Sequence, residues 1–308
     1  MIKCFYNVNL GVTMRTIKER ANAKINLYLD VLTKREDGFH DIKTVMQSVT
    51  FGDDITVSCS PSKQASVRLF TEGNRYLPTD MRNIAVKAAY TFLEKAGLSE
   101  NVEIRLKKRI PVAAGLAGGS SDAAAVLRAL NRLHGKMFTN KALNSIASEL
   151  GSDVVYCLYG KCALCEGRGE IITKIKCDAD KHVVIAIANE HMATPTAYKE
   201  LDRIYSDFDG SCETGGEEHF KSLMDSIASA DVDPNGLFNA FEPAILPMCP
   251  GAYEAKKKLI ELGAYSALMS GSGPSVFGLF NSLSEAKAVC EKMRELGFRA
   301  YSASFVKS

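Results

Sequence analysis

Between Pro111 and His134 the chain changes character twice. Pro111, Val112, Ala113, Ala114, Gly115, Leu116, Ala117, Gly118, Gly119, Ser120, Ser121 and Asp122 form a small, flexible stretch. Strong helix formers follow, with Ala123, Val126, Leu127, Leu130 and Leu133 at helical spacing and Gly135 as a stop. A glycine loop that opens a helix presents unpaired backbone N–H groups and the positive end of the helix dipole, and both favour an anion such as phosphate. Ser120 and Ser121 add hydroxyls able to ligate Mg²⁺ or a phosphate oxygen, and Asp122 puts a carboxylate in the first turn. No Gly-Lys-Ser/Thr ending is present, and the glycine spacing is not Gly-x-Gly-x-x-Gly, so neither familiar nucleotide fingerprint applies. On these residues alone, a phosphate loop and a tight packing loop fit equally well.

Other reactive groups are scattered along the chain. Lys24 and Asn26 lie two apart on a strand pattern and so share a face. Phe39 and His40 follow an Asp37-Gly38 turn; a ring beside an imidazole suits stacking and edge-on reading of a nucleobase, and equally a satisfied core pair. Asp153 stands where a helix begins, as a cap or as a base. Ser270-Gly271-Ser272-Gly273-Pro274-Ser275 is a second glycine turn, a hairpin or the wall of a site. Cys157, Cys162 and Cys165 have a plant-type iron–sulfur spacing, but their apolar neighbours read as buried helix and strand, which sets a cluster aside.

The elements that must position these groups follow from periodicity. Ile25 to Val31 alternates as a strand. His40 opens the next strand, and Gly52-Asp53-Asp54 reads as a turn into a further strand through Ile55 and Val57. Asn83 to Lys95 is a helix; Val102, Ile104 and Leu106 alternate as a strand, after which Lys107-Lys108-Arg109 leads into the glycine loop. Asn140 to Leu150 and Val154 to Tyr159 are helices, and Lys161 to Cys165 is a strand. Glu166 to Glu170 is a turn with a structural role. From His182 the pattern is β-α-α-β-β-α-β, which suits a ferredoxin-like sandwich, with Thr194 to Tyr198 opening a helix, Asn239 to Glu242 helical, and a last helix capped by Ser284. Ser206 to Glu218, rich in glycine, serine and acids, reads as an exposed loop.

The whole chain sets outer bounds. Its 308 residues suggest two domains. A formal charge of +2 gives no case for a nucleic-acid or membrane partner, and no apolar run reaches membrane-spanning length. Nine cysteines, an odd and scattered number, fit reduced thiols in a cytoplasm. Met1 to Arg20 lacks a signal-peptide core, and patterned sequence starts just after Met14, the more natural start. Oligomeric state is not legible.

Three stretches in order, the Lys24 strand, the Pro111–Ser121 loop and the Ser270–Ser275 turn, resemble the three motifs of the GHMP kinases (galactokinase, homoserine kinase, mevalonate kinase and relatives). The resemblance extends over Arg35 to His40, Gly151 to Val154, Glu166 to Glu170, Thr194 to Tyr198 and Asn239 to Glu242, and is to the branch whose alcohol substrate carries a cytidine diphosphate group. It implies an α+β fold with a ribosomal-protein-S5-domain-2-like ATP-binding domain over 14–178, a ferredoxin-like domain over 179–308 and an active site in the cleft between them. It further implies ATP and Mg²⁺, Lys24 and Asp153 as the catalytic pair, and nucleotide binding by Asn83 and residues 111–122 with Ser120 and Ser121 toward the metal. Asn26, Phe39, His40, Thr194, Pro195, Tyr198, Gly271, Ser272 and Gly273 would line the alcohol and cytosine site. Three positions depart from the family pattern: Val155 in place of proline, Arg82 in place of an acid, and Phe39 in place of tyrosine. Other kinases of the family, and a nucleotide sensor without turnover, are the competing readings.

Overall fold

The computed structural model describes residues 14–205 and 216–307. The readings of the segment before Met14 and of most of the Ser206–Glu218 stretch lie outside these residues; Gly216 to Glu218 open a helix. In chain order the elements are β1 (Arg15–Lys34), β2 (His40–Pro61), β3 (Ser66–Glu72), α1 (Ile84–Ala96), β4 (Glu100–Lys107), α2 (Gly118–Leu133), α3 (Asn140–Leu150), α4 (Ser152–Tyr159), β5 (Cys162–Glu166) and β6 (Ile171–Ile175). They continue with β7 (His182–Ile187), α5 (Thr194–Ile204), α6 (Gly216–Ala228), β8 (Phe238–Asn239), α7 (Glu242–Ile245), α8 (Pro250–Glu261), β9 (Ser266–Met269), β10 (Val276–Phe280), α9 (Leu283–Glu295) and β11 (Arg299–Ser304).

Two compact units form, neither contiguous in sequence: 14–22, 52–112 and 118–159 make the first, and 23–51, 113–117, 160–205 and 216–307 the second. In the first, β4 pairs antiparallel with the end of β2 and parallel with β3. Helix α2 is buried along most of its length because Ala123, Ala124, Val126, Leu127 and Leu130 put apolar groups on more than one face. Asn83 caps α1, its side chain accepting from Ala85 N, and Gly97 ends that helix in the left-handed region at φ 63°.

The second unit holds a four-stranded antiparallel sheet in the order β11-β7-β10-β9. With α8 and α9 between its strands this is the ferredoxin-like arrangement that the alternation implied. The apolar face of the sheet, including Val184, Ala186, Val276 and Phe280, shares a core with Leu201, Ala255, Leu259, Val289 and Met293 from the helices and with Phe241 just before α7.

Three local readings change. The turn expected at Gly52-Asp53-Asp54 does not exist; β2 runs unbroken through it. Gly52 is needed there for a close backbone approach, since a Cβ would lie 2.3 Å from Ala21 O, and Asp53 is fully buried. Asn239 is on the short strand β8, paired beside Leu29 of β1, and the helix starts only at Glu242. The cap of α9 is Ser282, not Ser284, because Ser282 Oγ is the oxygen that meets Glu285 N.

Candidate functional site

The glycine loop owes its shape to an alternation of backbone hand. Ala113, Gly115 and Ala117 have φ of 55°, 72° and 55°. Backbones that mix left- and right-handed residues can turn successive N–H groups toward one concavity, an arrangement suited to an anion. Glycine takes the left-handed conformation without strain, whereas each alanine costs about 1–2 kcal/mol there. The second glycine turn props the loop. Ser270 Oγ donates to Gly115 O at 3.1 Å, and Ser275 Oγ donates to Ala114 O. A Cβ on Gly115 would meet Ser270 O at 2.3 Å, so the two backbones touch where only hydrogen fits. That turn is the β9–β10 hairpin connection, with φ of 59° at Gly271 and 75° at Gly273. Asn239 Nδ2 fixes it by donating to Met269 O at 2.7 Å and Gly271 O at 2.9 Å, while Met269 N donates to Glu242 Oε1 at 2.8 Å.

Lys24 reaches the same turn. It is 4 % exposed, its N donates to Leu116 O at 3.2 Å, and its Nζ would lie 3.3 Å from a Cβ on Gly271. Nζ donates to Asn26 Oδ1 at 2.7 Å, Asn26 Nδ2 to Thr44 Oγ1 at 2.9 Å, and Thr44 Oγ1 to Tyr28 O at 2.6 Å. This chain orients the amide of Asn26 and holds the ammonium at one spot. Among the described residues of its own unit, Asn26 is its hydrogen-bond partner and no carboxylate pairs with it. A buried ammonium held by one neutral amide is poised for an anion. Thr194 and Ser272 meet through their hydroxyls at 3.1 Å, and Pro195 occupies the exposed first turn of α5.

His40 is buried at the start of β2. Its ring stacks on Tyr198 at 4.8 Å between centroids, and Tyr198 meets Phe241 edge-on at 5.0 Å. His40 Nε2 is 2.7 Å from Asp202 Oδ1. Burial opposes ionisation of Asp202, yet hydrogen bonds from Lys34 and His40 hold its carboxyl below the usual range. An ionised carboxylate can only accept, so Nε2 is the donor in this contact. Phe39, by contrast, is 54 % exposed, with the Arg168 guanidinium 4.2 Å over its ring. Arg168 lies in a turn tied to β2 by Ile42 N donating to Gly167 O at 2.7 Å.

In the first unit, Asp153 is half-buried in the first turn of α4, and its carboxylate has no hydrogen bond or ion pair to the described residues of that unit. It is not a cap: Val154 N is bonded to Gly151 O at 3.0 Å instead. Asn83 is committed to capping, donating also to Pro78 O at 2.9 Å. Ser121 Oγ donates to Asn22 O at 2.7 Å, keeping lone pairs free, and Ser120 is half-buried beside it. Gly119 is exposed at the helix start, and Gly118 packs on Ile110 and Lys108. The Asp122 carboxylate points inward, 3 % exposed, with Oδ2 2.6 Å from Lys108 Nζ. Burial pushes it up to about 8, against the Lys108 charge and with that of Asp53.

Residues 83–161 match the GHMP kinases N terminal domain, and residues 217–298 match the GHMP kinases C terminal domain. A 4-diphosphocytidyl-2-C-methyl-D-erythritol kinase of Gloeobacter violaceus is 39 % identical over 280 residues, covering 90 % of each chain. One of Bacillus licheniformis is 37 % identical over 293 residues, covering 94 % of this chain and 97 % of that one. The chain belongs to the 4-diphosphocytidyl-2-C-methyl-D-erythritol kinase family, within the GHMP kinases. A crystal structure of a 4-(cytidine 5'-diphospho)-2C-methyl-D-erythritol kinase superposes with TM-score 0.78 at 29 % identity, over 95 % of this chain and all of that chain. Homoserine kinase from Cytophaga hutchinsonii shares the fold at TM-score 0.74 and 22 % identity. As a GHMP kinase, the chain uses ATP as phosphate donor.

Membership in the 4-diphosphocytidyl-2-C-methyl-D-erythritol kinase family explains why three separate motifs meet. In the second unit Lys24, Asn26, Gly115 and Gly271 converge, as do His40 and Tyr198. Periodicity did not single out Thr44, Asp202, Asn239 or Arg168 for these roles. Asp202 is four residues from Tyr198 on one helix face, a spacing that could have revealed it. Among the described residues no group of three or more His, Cys, Asp and Glu could hold a metal, and no helix is long and apolar enough to cross a membrane.

Proposed function

We propose that this chain transfers the γ-phosphate of ATP to the 2-hydroxyl of 4-diphosphocytidyl-2-C-methyl-D-erythritol, releasing ADP, in the non-mevalonate route to isoprenoid precursors. The observation that carries this reading is full-length kinship, 37–39 % identity over about nine-tenths of the chain, with kinases of that name. Residues 14–178 would serve as the ATP-binding domain and 179–308 as its partner domain.

Phosphoryl transfer needs positioning and charge neutralisation more than covalent help. The amides of residues 111–122 would hold the phosphates. Asp153, in the first turn of α4, would accept the proton of the attacking hydroxyl. Lys24, fixed by Asn26, would offset charge on the attacking oxygen. Mg²⁺ carried with ATP would neutralise phosphate charge, with the hydroxyls of Ser120 and Ser121 turned toward it and water and phosphate oxygens as its other ligands. His40, its ring held through Nε2 by Asp202, would hydrogen-bond the cytosine, with Phe39 and Tyr198 as flanking rings. Asn26, Thr194, Pro195 and the Gly271-Ser272-Gly273 turn would face the alcohol.

The test is ADP release from ATP and Mg²⁺ with 4-diphosphocytidyl-2-C-methyl-D-erythritol, homoserine and mevalonate offered separately. Turnover with the cytidyl alcohol alone is expected. Turnover with either other alcohol at equal or greater efficiency would sink the cytosine reading, and ATP binding with no turnover on any of them would favour a sensor.

A further inference from the structure

Three buried titratable groups of the first unit take no part in the chemistry above. Asp53 on β2 is fully buried, and its Oδ2 accepts from Lys108 Nζ at 2.6 Å. Its Oδ1 accepts from Ile110 N at 2.8 Å and from Arg109 N. Lys108 Nζ donates a second time, to Asp122 Oδ2, also at 2.6 Å. Asp122 Oδ1 is buried with no partner among the described residues. Gly118 packs directly on this cluster: a Cβ there would lie 2.8 Å from Ile110 Cγ2 and 3.1 Å from Lys108 Nζ.

The cluster therefore grips both ends of the glycine loop. Asp53 clamps the entry at 109–110 through backbone N–H groups. Lys108 ties that entry to the first turn of α2, where the loop ends. Stability alone is a weak reason for two buried carboxylates around one ammonium, since an apolar cluster of equal volume would serve as well or better. Fixed geometry is the stronger one: charged hydrogen bonds of this kind are directional, and a catalytic or binding loop displaced by a fraction of an ångström loses its aim.

We propose that Lys108, Asp53 and Asp122 are positioning residues for nucleotide binding, a hydrogen-bonded triad that sets both ends of the phosphate loop, so that the Asp122 side chain acts on ATP through Lys108 and not by touching it. The proposal rests on the ATP reading of the preceding section.

Asp122→Ala, Asp122→Asn and Lys108→Gln would be compared by steady-state kinetics, by calorimetric ATP binding and by amide hydrogen exchange over 109–119. Asp122→Ala should raise KM for ATP about tenfold, with kcat and the alcohol KM within about twofold. Asp122→Asn keeps an oxygen for Lys108 and should restore KM for ATP to within about twofold of the parent. Exchange over 109–119 should quicken in Asp122→Ala and Lys108→Gln and not in Asp122→Asn. A merely structural triad would lower Tm and leave KM for ATP unchanged, which overturns the proposal. If Asp122→Ala does not fold, Lys108→Gln carries the same expectation and the same refutation. A parent protein that binds no ATP would overturn the ATP reading itself; parent binding with an unchanged Asp122→Ala KM overturns the triad alone.

Discussion

Replacing Gly115 by alanine should damage the loop far more than replacing Ala113 or Ala117 by glycine. At φ 72° an L side chain costs about 1–2 kcal/mol. The new Cβ would also sit 2.3 Å from Ser270 O, where ordinary contact begins near 3.4 Å, so about 1 Å of separation must be found between two backbones. Overpacking of that kind costs about 1–3 kcal/mol. The lower unfolded-state entropy of alanine offsets about 0.4–1 kcal/mol. The net loss is about 1–5 kcal/mol, a fall in Tm of the order of 2–7 °C for a chain of this size. At Ala117, also left-handed at φ 55°, glycine would relieve about 1 kcal/mol and lose about as much in the unfolded state, leaving stability within about 1 kcal/mol of the parent. Calorimetric scans, with KM for ATP on the same samples, would decide. Gly115→Ala should melt early and bind ATP at least tenfold more weakly. An unchanged Tm and KM in Gly115→Ala, or a loss above 2 kcal/mol in Ala117→Gly, would refute the reasoning.

Asp202→Asn should raise KM for the cytidyl alcohol about fivefold with kcat nearly unchanged, since it frees the ring of His40. Because the folded carboxyl of Asp202 lies below its unfolded value, its contribution to stability is present above the usual carboxylate pKa and is lost as pH falls through the folded one; the Tm gap between parent and variant should close in acid and stay constant from pH 5 to 8. Asn26→Leu removes the acceptor that fixes Lys24 and should lower kcat about 10²-fold while ATP binding survives, as read by single-turnover kinetics and calorimetry. Burial pushes the Cys59 thiol up to about 12, whereas a hydrogen bond from Cys162 brings Cys177 down to about 7 despite its burial. Iodoacetamide at pH 8 should therefore modify Cys177 before Cys59, by peptide mass mapping; the reverse order would contradict the assignment.

Much of this was legible in the residues. Val102, Ile104 and Leu106 face inward with period two, and continuing that count puts Lys108 inward as well; Asp53 continues Ile55 and Val57 in the same way. Asp122 is four residues before Val126 on the buried face of α2. The buried triad was thus written in the periodicity, hidden because lysines and aspartates next to a glycine loop invite a ligand or solvent reading. Gly52 was misread for a different reason. A glycine followed by two aspartates has turn chemistry, and only the approach of Ala21 from a strand thirty residues earlier shows that the missing Cβ serves packing. The short strand at Phe238-Asn239 was equally hidden, since its pairing to β1 is non-local and nothing in two residues reports it. The left-handed alanines at 113 and 117 carry no local signal either, because tertiary contacts impose their conformation.

The most direct test of the central claim is single-turnover transfer from γ-labelled ATP to 4-diphosphocytidyl-2-C-methyl-D-erythritol by the parent, Lys24→Ala and Asp153→Asn, with ATP binding measured alongside. The account predicts label on the alcohol with the parent and transfer slower by about 10² or more with each variant, while the variants stay folded and still bind ATP. Transfer at the parental rate by a folded Asp153→Asn would contradict it.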